Sequence, residues 1–143
     1  MRMAFDTDVV VAGLRSDQGA SRQLLLAALD RRITMLVSVP LMLEYEAVLT
    51  RPDQLIATGL SVEETNDVLD ELASVVEPVA LHFRWRPQLT DPEDEMVLET
   101  AVNGSADRLV TFNTRHLREA AERFGIRTVL PREALREIRG ARR

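Results

Sequence analysis

Strand-length apolar runs recur along this chain, and their cores do not alternate: Ala4-Phe5, Met35-Leu36-Val37, Leu109-Val110-Thr111 and Thr128-Val129-Leu130. A strand with one wet face alternates apolar and polar residues; a run that stays apolar on successive positions reads as covered on both faces. The segments between these runs carry helix signals. Val9 to Leu14 reads as a short helix, and Ser21 is placed to cap one through Leu24, Leu25, Ala28 and Leu29. Ser38 with Pro40 starts a helix to about Leu49, which Arg51-Pro52-Asp53 breaks. Ser61-Val62-Glu63-Glu64 is a capping box, and Val62, Leu69, Leu72 and Val76 follow it at helical spacing. Glu77 to Leu81 reads as a short or edge strand and Arg84 to Thr90 as a loop. Asp91-Pro92 opens a helix that ends at Asn103-Gly104, Arg115 to Phe124 is helical up to Gly125, and Pro131 starts a last helix to about Arg139. Strands alternating with helices predict an α/β protein, a three-layer α/β/α sandwich with a mostly parallel central sheet. One domain is expected over residues 1–139, with 140–143 a frayed tail.

The chain has 143 residues and a formal net charge of −5. It has no cysteine, which excludes disulfides, thiolate metal sites and a cysteine nucleophile. Two histidines argue against a His-rich zinc site. All 18 basic residues are arginine, so a P-loop and Schiff-base chemistry are excluded for want of a lysine. The acidic balance is not the footprint of a protein that grips nucleic acid by bulk charge. It leaves open an enzyme that holds nucleic acid through a bound metal and a local basic patch. The longest uncharged apolar stretch, Val37 to Leu43, is far short of the roughly 20 residues a membrane helix needs, so no membrane partner is expected. Asp6 arrives before any signal-peptide core could form.

Ligands of open parallel sheets bind outside the carboxyl ends of the strands. Asp6, Glu44, Asp94 and Asn113 fall where such ends are expected. Clustered carboxylates repel, and a hard divalent cation, Mg²⁺ or Mn²⁺, is their natural counter-charge. Such a site suits phosphodiester hydrolysis. Each residue also has a plainer reading. Asp6 could cap the following helix, Glu44 could be a surface charge, Asp91 fits a helix cap before Pro92, and Asn113 could be a turn residue. Glu93, Asp94 and Glu95 could simply complement a helix dipole.

Four segments resemble the PIN-domain family in order and spacing. Phe5-Asp6-Thr7-Asp8-Val9-Val10 resembles its opening Asp-Thr-Asn-Val, and Ser38 to Tyr45 resembles the segment with its second acid. Asp91-Pro92-Glu93-Asp94 and Ala106 to Asn113 resemble two motifs of a bacterial and archaeal subgroup that supplies toxin components of toxin–antitoxin pairs; Leu49-Thr50-Arg51-Pro52 also fits that subgroup. The resemblance implies a cytoplasmic, Mg²⁺- or Mn²⁺-dependent ribonuclease, a homodimer with an RNA substrate and a cognate antitoxin that inserts near the active site. By motif, Asp6, Glu44 and Asp94 are its catalytic and metal-binding acids, Asn113 a further ligand, and Asp8 and Asp91 weaker candidates. Asp107 matches the subgroup but precedes its strand, which places it away from the metal. Thr7, Thr111 and Arg115 are candidate substrate contacts. His116 is another, and Trp85 and Tyr45 could stack on bases or pack in the core. Asp8 stands where the family has Asn, and Asn113 where many relatives have a further Asp, which argues for one metal rather than two.

Two alternatives remain on the residues. A degenerate PIN domain would bind RNA or a protein without cutting. Asp6-Thr7-Asp8-Val9-Val10 also fits the opening of haloacid-dehalogenase-like phosphatases, but those need a lysine, as do response-regulator receivers, and this chain has none.

Overall fold

The computed structural model describes residues 1–16, 19–82 and 92–141. The expected loop over 84–90, with Trp85, and the candidate ligand Asp91 lie outside the described residues. Five parallel strands form one sheet: β1 (Arg2–Phe5), β2 (Thr34–Val37), β3 (Glu77–Pro78), β4 (Arg108–Val110) and β5 (Arg127–Val129), in the order β3-β2-β1-β4-β5. The described helices are α1 (Thr7–Arg15), α2 (Ala20–Leu29), α3 (Val39–Leu49), α4 (Pro52–Thr58), α5 (Val62–Val75), α6 (Pro92–Asn103), α7 (Thr114–Glu122) and α8 (Pro131–Ala141).

Met3, Ala4 and Phe5 are all fully buried, and successive strand residues face opposite ways, so both faces of β1 are covered. α6 packs on β1, β2 and β4, and α8 packs on β4 and against α2. This is the layered α/β arrangement that the non-alternating runs predict. The register is regular: Ala4 stands opposite Leu36 of β2 on one side and Leu109 of β4 on the other.

Local chemistry sets the helix starts. Ser38 caps α3 by accepting from the Leu41 amide at 3.3 Å, with Pro40 in the first turn. The Ser61–Glu64 capping box forms in both directions, at 3.0 and 3.1 Å. Ser21, in contrast, does not cap α2. The cap is Gly19, and Ser21 lies inside the first turn, buried. The break at Arg51-Pro52 starts a further short helix, α4, which has no buried residue and so leaves no apolar periodicity to read. α8 runs through Gly140 to Ala141, two residues beyond the expected end. α7 ends at Glu122, two residues before the expected Phe124, and a turn carries the chain to Gly125, whose φ of +74° is left-handed backbone that glycine adopts without a Cβ penalty.

The order of the strands positions the site. From β1 the chain moves outward through β2 to β3, then returns to the other side of β1 with β4 and β5. Connections therefore leave β1 and β4 in opposite directions, which opens a crevice beyond their carboxyl ends.

Candidate functional site

Asp6 follows β1 directly and extends its pairing, its amide donating to the Val110 carbonyl at 2.9 Å. It caps α1, as the plainer reading of this residue has it, and it also lines the cleft. Oδ1 accepts from the Thr7 amide at 2.8 Å, and Oδ2 accepts from the Thr111 hydroxyl at 2.7 Å. Thr111 is fully buried and in turn accepts from the Asn113 amide at 2.9 Å. It ties the end of β4 to Asp6. Its burial corrects the expectation of a substrate contact; Thr111 positions Asp6 instead.

Asp8 lies in the first turn of α1, and its Oδ2 accepts from the Phe112 amide at 3.2 Å. Its Oδ1 is buried without a hydrogen-bond partner. Burial pushes the Asp8 carboxyl above the ordinary aspartate range. The Phe112, Val9 and Thr111 hydrogen bonds pull the other way, and the Asp94 charge adds to the rise. Asp94 reaches the site from the first turn of α6 and is buried. α6 is keyed to the sheet end by the Ser38 hydroxyl, 2.7 Å from that of Thr100, which itself donates to the Met96 carbonyl at 2.8 Å.

Asp6, Thr7, Asp8, Asp94 and Asn113 line one cleft of about 430 Å³. The Asn113 side-chain nitrogen also sits 3.2 Å from Nδ1 of His116. Glu44 is half-buried on α3, one turn before Val48; Val48 lines the cleft and Glu44 does not. Arg115 is exposed at the start of α7, outside the lining. Asp107 accepts from the Arg2 amide at 2.7 Å, at the start of β1 and hence the opposite end of the sheet. Tyr45 is fully buried and donates to the Phe5 carbonyl, a packing and hydrogen-bonding role that removes it from base stacking. Burial, then the charges of Asp6 and Asp8, hold its hydroxyl well above the usual tyrosine range.

Sequence reasoning missed the two arginines of the cleft. Arg15 and Arg51 both line the cleft and are exposed. The signal for Arg15 was available: Asp8, Val11, Ala12 and Arg15 share one face of α1, and all four line the cleft. Arg51 sits at the α3–α4 break, in a segment that reads as a helix stop and as part of a subgroup motif, neither of which gives the arginine a place in a cleft.

The carboxylates and amide of this lining offer oxygen donors, one carboxylate oxygen is buried without a hydrogen-bond partner, and Asp94 opposes the charge on Asp8. A hard divalent cation fits that chemistry. Among the described residues, no three carboxylate or imidazole side chains form a ready-made metal-holding group. The fit is therefore one of donor type, and the carboxylates would have to converge on the ion.

Removing the Asp8 charge tests this balance. An acid whose folded pKa is raised costs nothing below its ordinary pKa and becomes a penalty as pH rises through the folded value. Asp8→Asn is therefore expected to raise the melting temperature in EDTA by a few degrees at pH 7.5, with the gain shrinking toward pH 4.5. Differential scanning calorimetry at the two pH values reads it. A lower melting temperature at pH 7.5 would show that the Asp8 charge is stabilising.

Three aspartates and two arginines line this cleft at the switch point of a parallel α/β sheet, the place where such sheets bind ligands. The PIN-domain family profile matches residues 2–115, and the chain belongs to the PIN-domain family. PIN domains are generally nucleases and typically use divalent metals. A comparison with curated proteins finds no match. Among the described residues, no helix is long and apolar enough to cross a membrane.

Proposed function

We propose that this protein is a divalent-cation-dependent ribonuclease of the cytoplasm, the toxin of a toxin–antitoxin pair. The observation that carries the nuclease reading is that Asp6, Asp8 and Asp94 line one cleft, one of them with an orphaned buried oxygen. Asp6, Asp94 and Asp8 would hold Mg²⁺ or Mn²⁺, with Asn113 as a neutral ligand; Glu44, outside the cleft lining, would have to turn in from α3 to join them. When bound, the cation lowers the pKa of water and offsets charge on the phosphate. Thr111 holds Asp6 in its rotamer. Arg15 and Arg51 bind the RNA backbone, as arginines commonly do. Water attacks phosphorus, the bond to the 3′ oxygen breaks, and that oxygen takes up a proton, giving a 5′-phosphate and a 3′-hydroxyl.

The test is cleavage of mixed-structure RNA in Mn²⁺ or Mg²⁺ against EDTA, with analysis of the ends. Metal-dependent products with 5′-phosphates are expected. A 2′,3′-cyclic phosphate would overturn the scheme, because it requires the RNA's own 2′-hydroxyl as nucleophile. If calorimetry detects no Mn²⁺ binding, the degenerate binding-domain reading replaces it. The toxin role rests on the resemblance of its motifs, and growth arrest on expression, relieved by the product of a neighbouring reading frame, is its test.

A second copy of the chain is the proposed structural partner. α3 exposes Val39 and Leu43 one turn apart, at 73% and 59%, and the adjoining α4 exposes Ile56 at 83%. Val39 and Leu43 form the proposed interaction face, with Ile56 a further exposed apolar residue on the next helix. Leu43→Glu is expected to convert a dimer to a monomer in light scattering coupled to gel filtration. A dimer that persists in Leu43→Glu and Ile56→Glu together would place the interface elsewhere.

A further inference from the structure

Asn113 is the N-cap residue of α7, yet its side chain makes no cap bond. Asparagine is among the best cap residues because its side-chain oxygen accepts from an amide two or three residues into the helix. His116 is that third helical residue. Its ring takes the other end of the group: the Asn113 side-chain nitrogen lies 3.2 Å from His116 Nδ1. An amide nitrogen only donates, so Nδ1 accepts and the ring proton sits on Nε2. The Asn113 oxygen is thereby spent neither on the cap nor on the ring. The backbone of Asn113 is fixed separately. Its amide donates to the Thr111 hydroxyl at 2.9 Å, and that hydroxyl donates to Asp6 at 2.7 Å. Asn113 lines the acidic cleft, whereas the exposed His116 stands outside the lining.

A side-chain amide has two unlike ends of the same shape. Only the oxygen can ligate a cation, and a nitrogen turned toward the ion would set its N–H dipoles against it. Shape alone does not choose between the two ends, so the choice needs a partner that accepts and does not donate. His116 Nδ1 is such a partner. An aspartate at 113 would need none, because its two oxygens are equivalent. We propose that His116 is a positioning residue: it holds the nitrogen end of Asn113, so that the oxygen end is kept for the divalent cation of the cleft. The inference rests on the reading of the cleft as a cation site. It gives the forgone cap a reason, since capping would spend the one atom of Asn113 that can act as a ligand.

The test is calorimetric titration of the whole chain with Mn²⁺ at pH 8. His116→Ala is expected to weaken Mn²⁺ binding about tenfold, the low end of what residues behind a metal ligand contribute. His116→Asn puts an accepting oxygen near the place of Nδ1 and is expected to recover most of the loss. In an Asn113→Asp background, His116→Ala is expected to change the affinity less than twofold. That background separates positioning from other roles, because direct ligation by the ring, or a purely structural part at the start of α7, would cost the same in both. A readout without metal comes from ¹⁵N NMR of the imidazole, expected to show the Nε2–H tautomer. Unchanged Mn²⁺ affinity in His116→Ala overturns the proposal, as does an equal loss in both backgrounds or a proton on Nδ1. With Mn²⁺ still bound by the wild type, each of these removes the positioning role and keeps the cation site. A wild type that binds no Mn²⁺ removes both.

Discussion

Asp94→Asn is expected to lower Mn²⁺-dependent RNA cleavage by about 10²–10³-fold, the usual cost of deleting one charged group that stabilises a transition state. Asparagine keeps the shape and one oxygen but removes the charge. Asp94 sits in the first turn of α6, where asparagine is tolerated, and the change also relieves its repulsion with Asp8. The variant's melting temperature in EDTA is therefore expected to equal or exceed that of the wild type. That outcome separates loss of chemistry from loss of fold. Wild-type cleavage by Asp94→Asn, purified identically, would remove this carboxylate from the mechanism.

Thr111→Val carries the second largest expected effect, although Thr111 never meets solvent. Valine matches threonine in shape and deletes one hydroxyl. That hydroxyl donates to Asp6 Oδ2 and accepts from the Asn113 amide, so its loss disturbs a buried carboxylate and a part-buried amide. The cost to stability is expected to be about 2–3 kcal/mol, read by urea titration. The carboxylate of Asp6 also loses a donor that fixes its rotamer, and kcat is expected to fall about 10–100-fold with KM little changed. Thr111→Ser, which restores the hydroxyl, is expected to recover both. If kcat survives while stability falls, Thr111 is a structural residue alone.

These two residues show what local sequence can and cannot disclose. Asp94 is visible as an acid in the first turn of a predicted helix, yet the same position serves equally for a dipole-complementing charge. Choosing between the two needs the cleft, which brings Asp94 to Asp6 and Asp8 from 88 and 86 residues away along the chain. Thr111 is visible at the end of a strand, but whether its hydroxyl faces solvent or a carboxylate depends on which strand lies alongside. The pairing of β4 with β1 decides that in favour of Asp6. Glu44 shows the reverse difficulty. Its motif singles it out, while its place on α3 leaves it half-buried and outside the cleft lining.

Sequence alone determined the layered parallel α/β architecture, because unbroken apolar runs cannot face water. It also determined the starts of α3 and α5, because a serine cap acts through bonds within one helical turn. It missed α4, which buries no side chain, and it assigned the cap of α2 to Ser21 where Gly19 holds it. Tertiary structure alone decided which acids share a cleft and that Arg15 and Arg51 join them. The reason is physical: caps and apolar patterns act through neighbours in sequence, whereas a site is set by strand order, which brings distant strand ends together with no local signature.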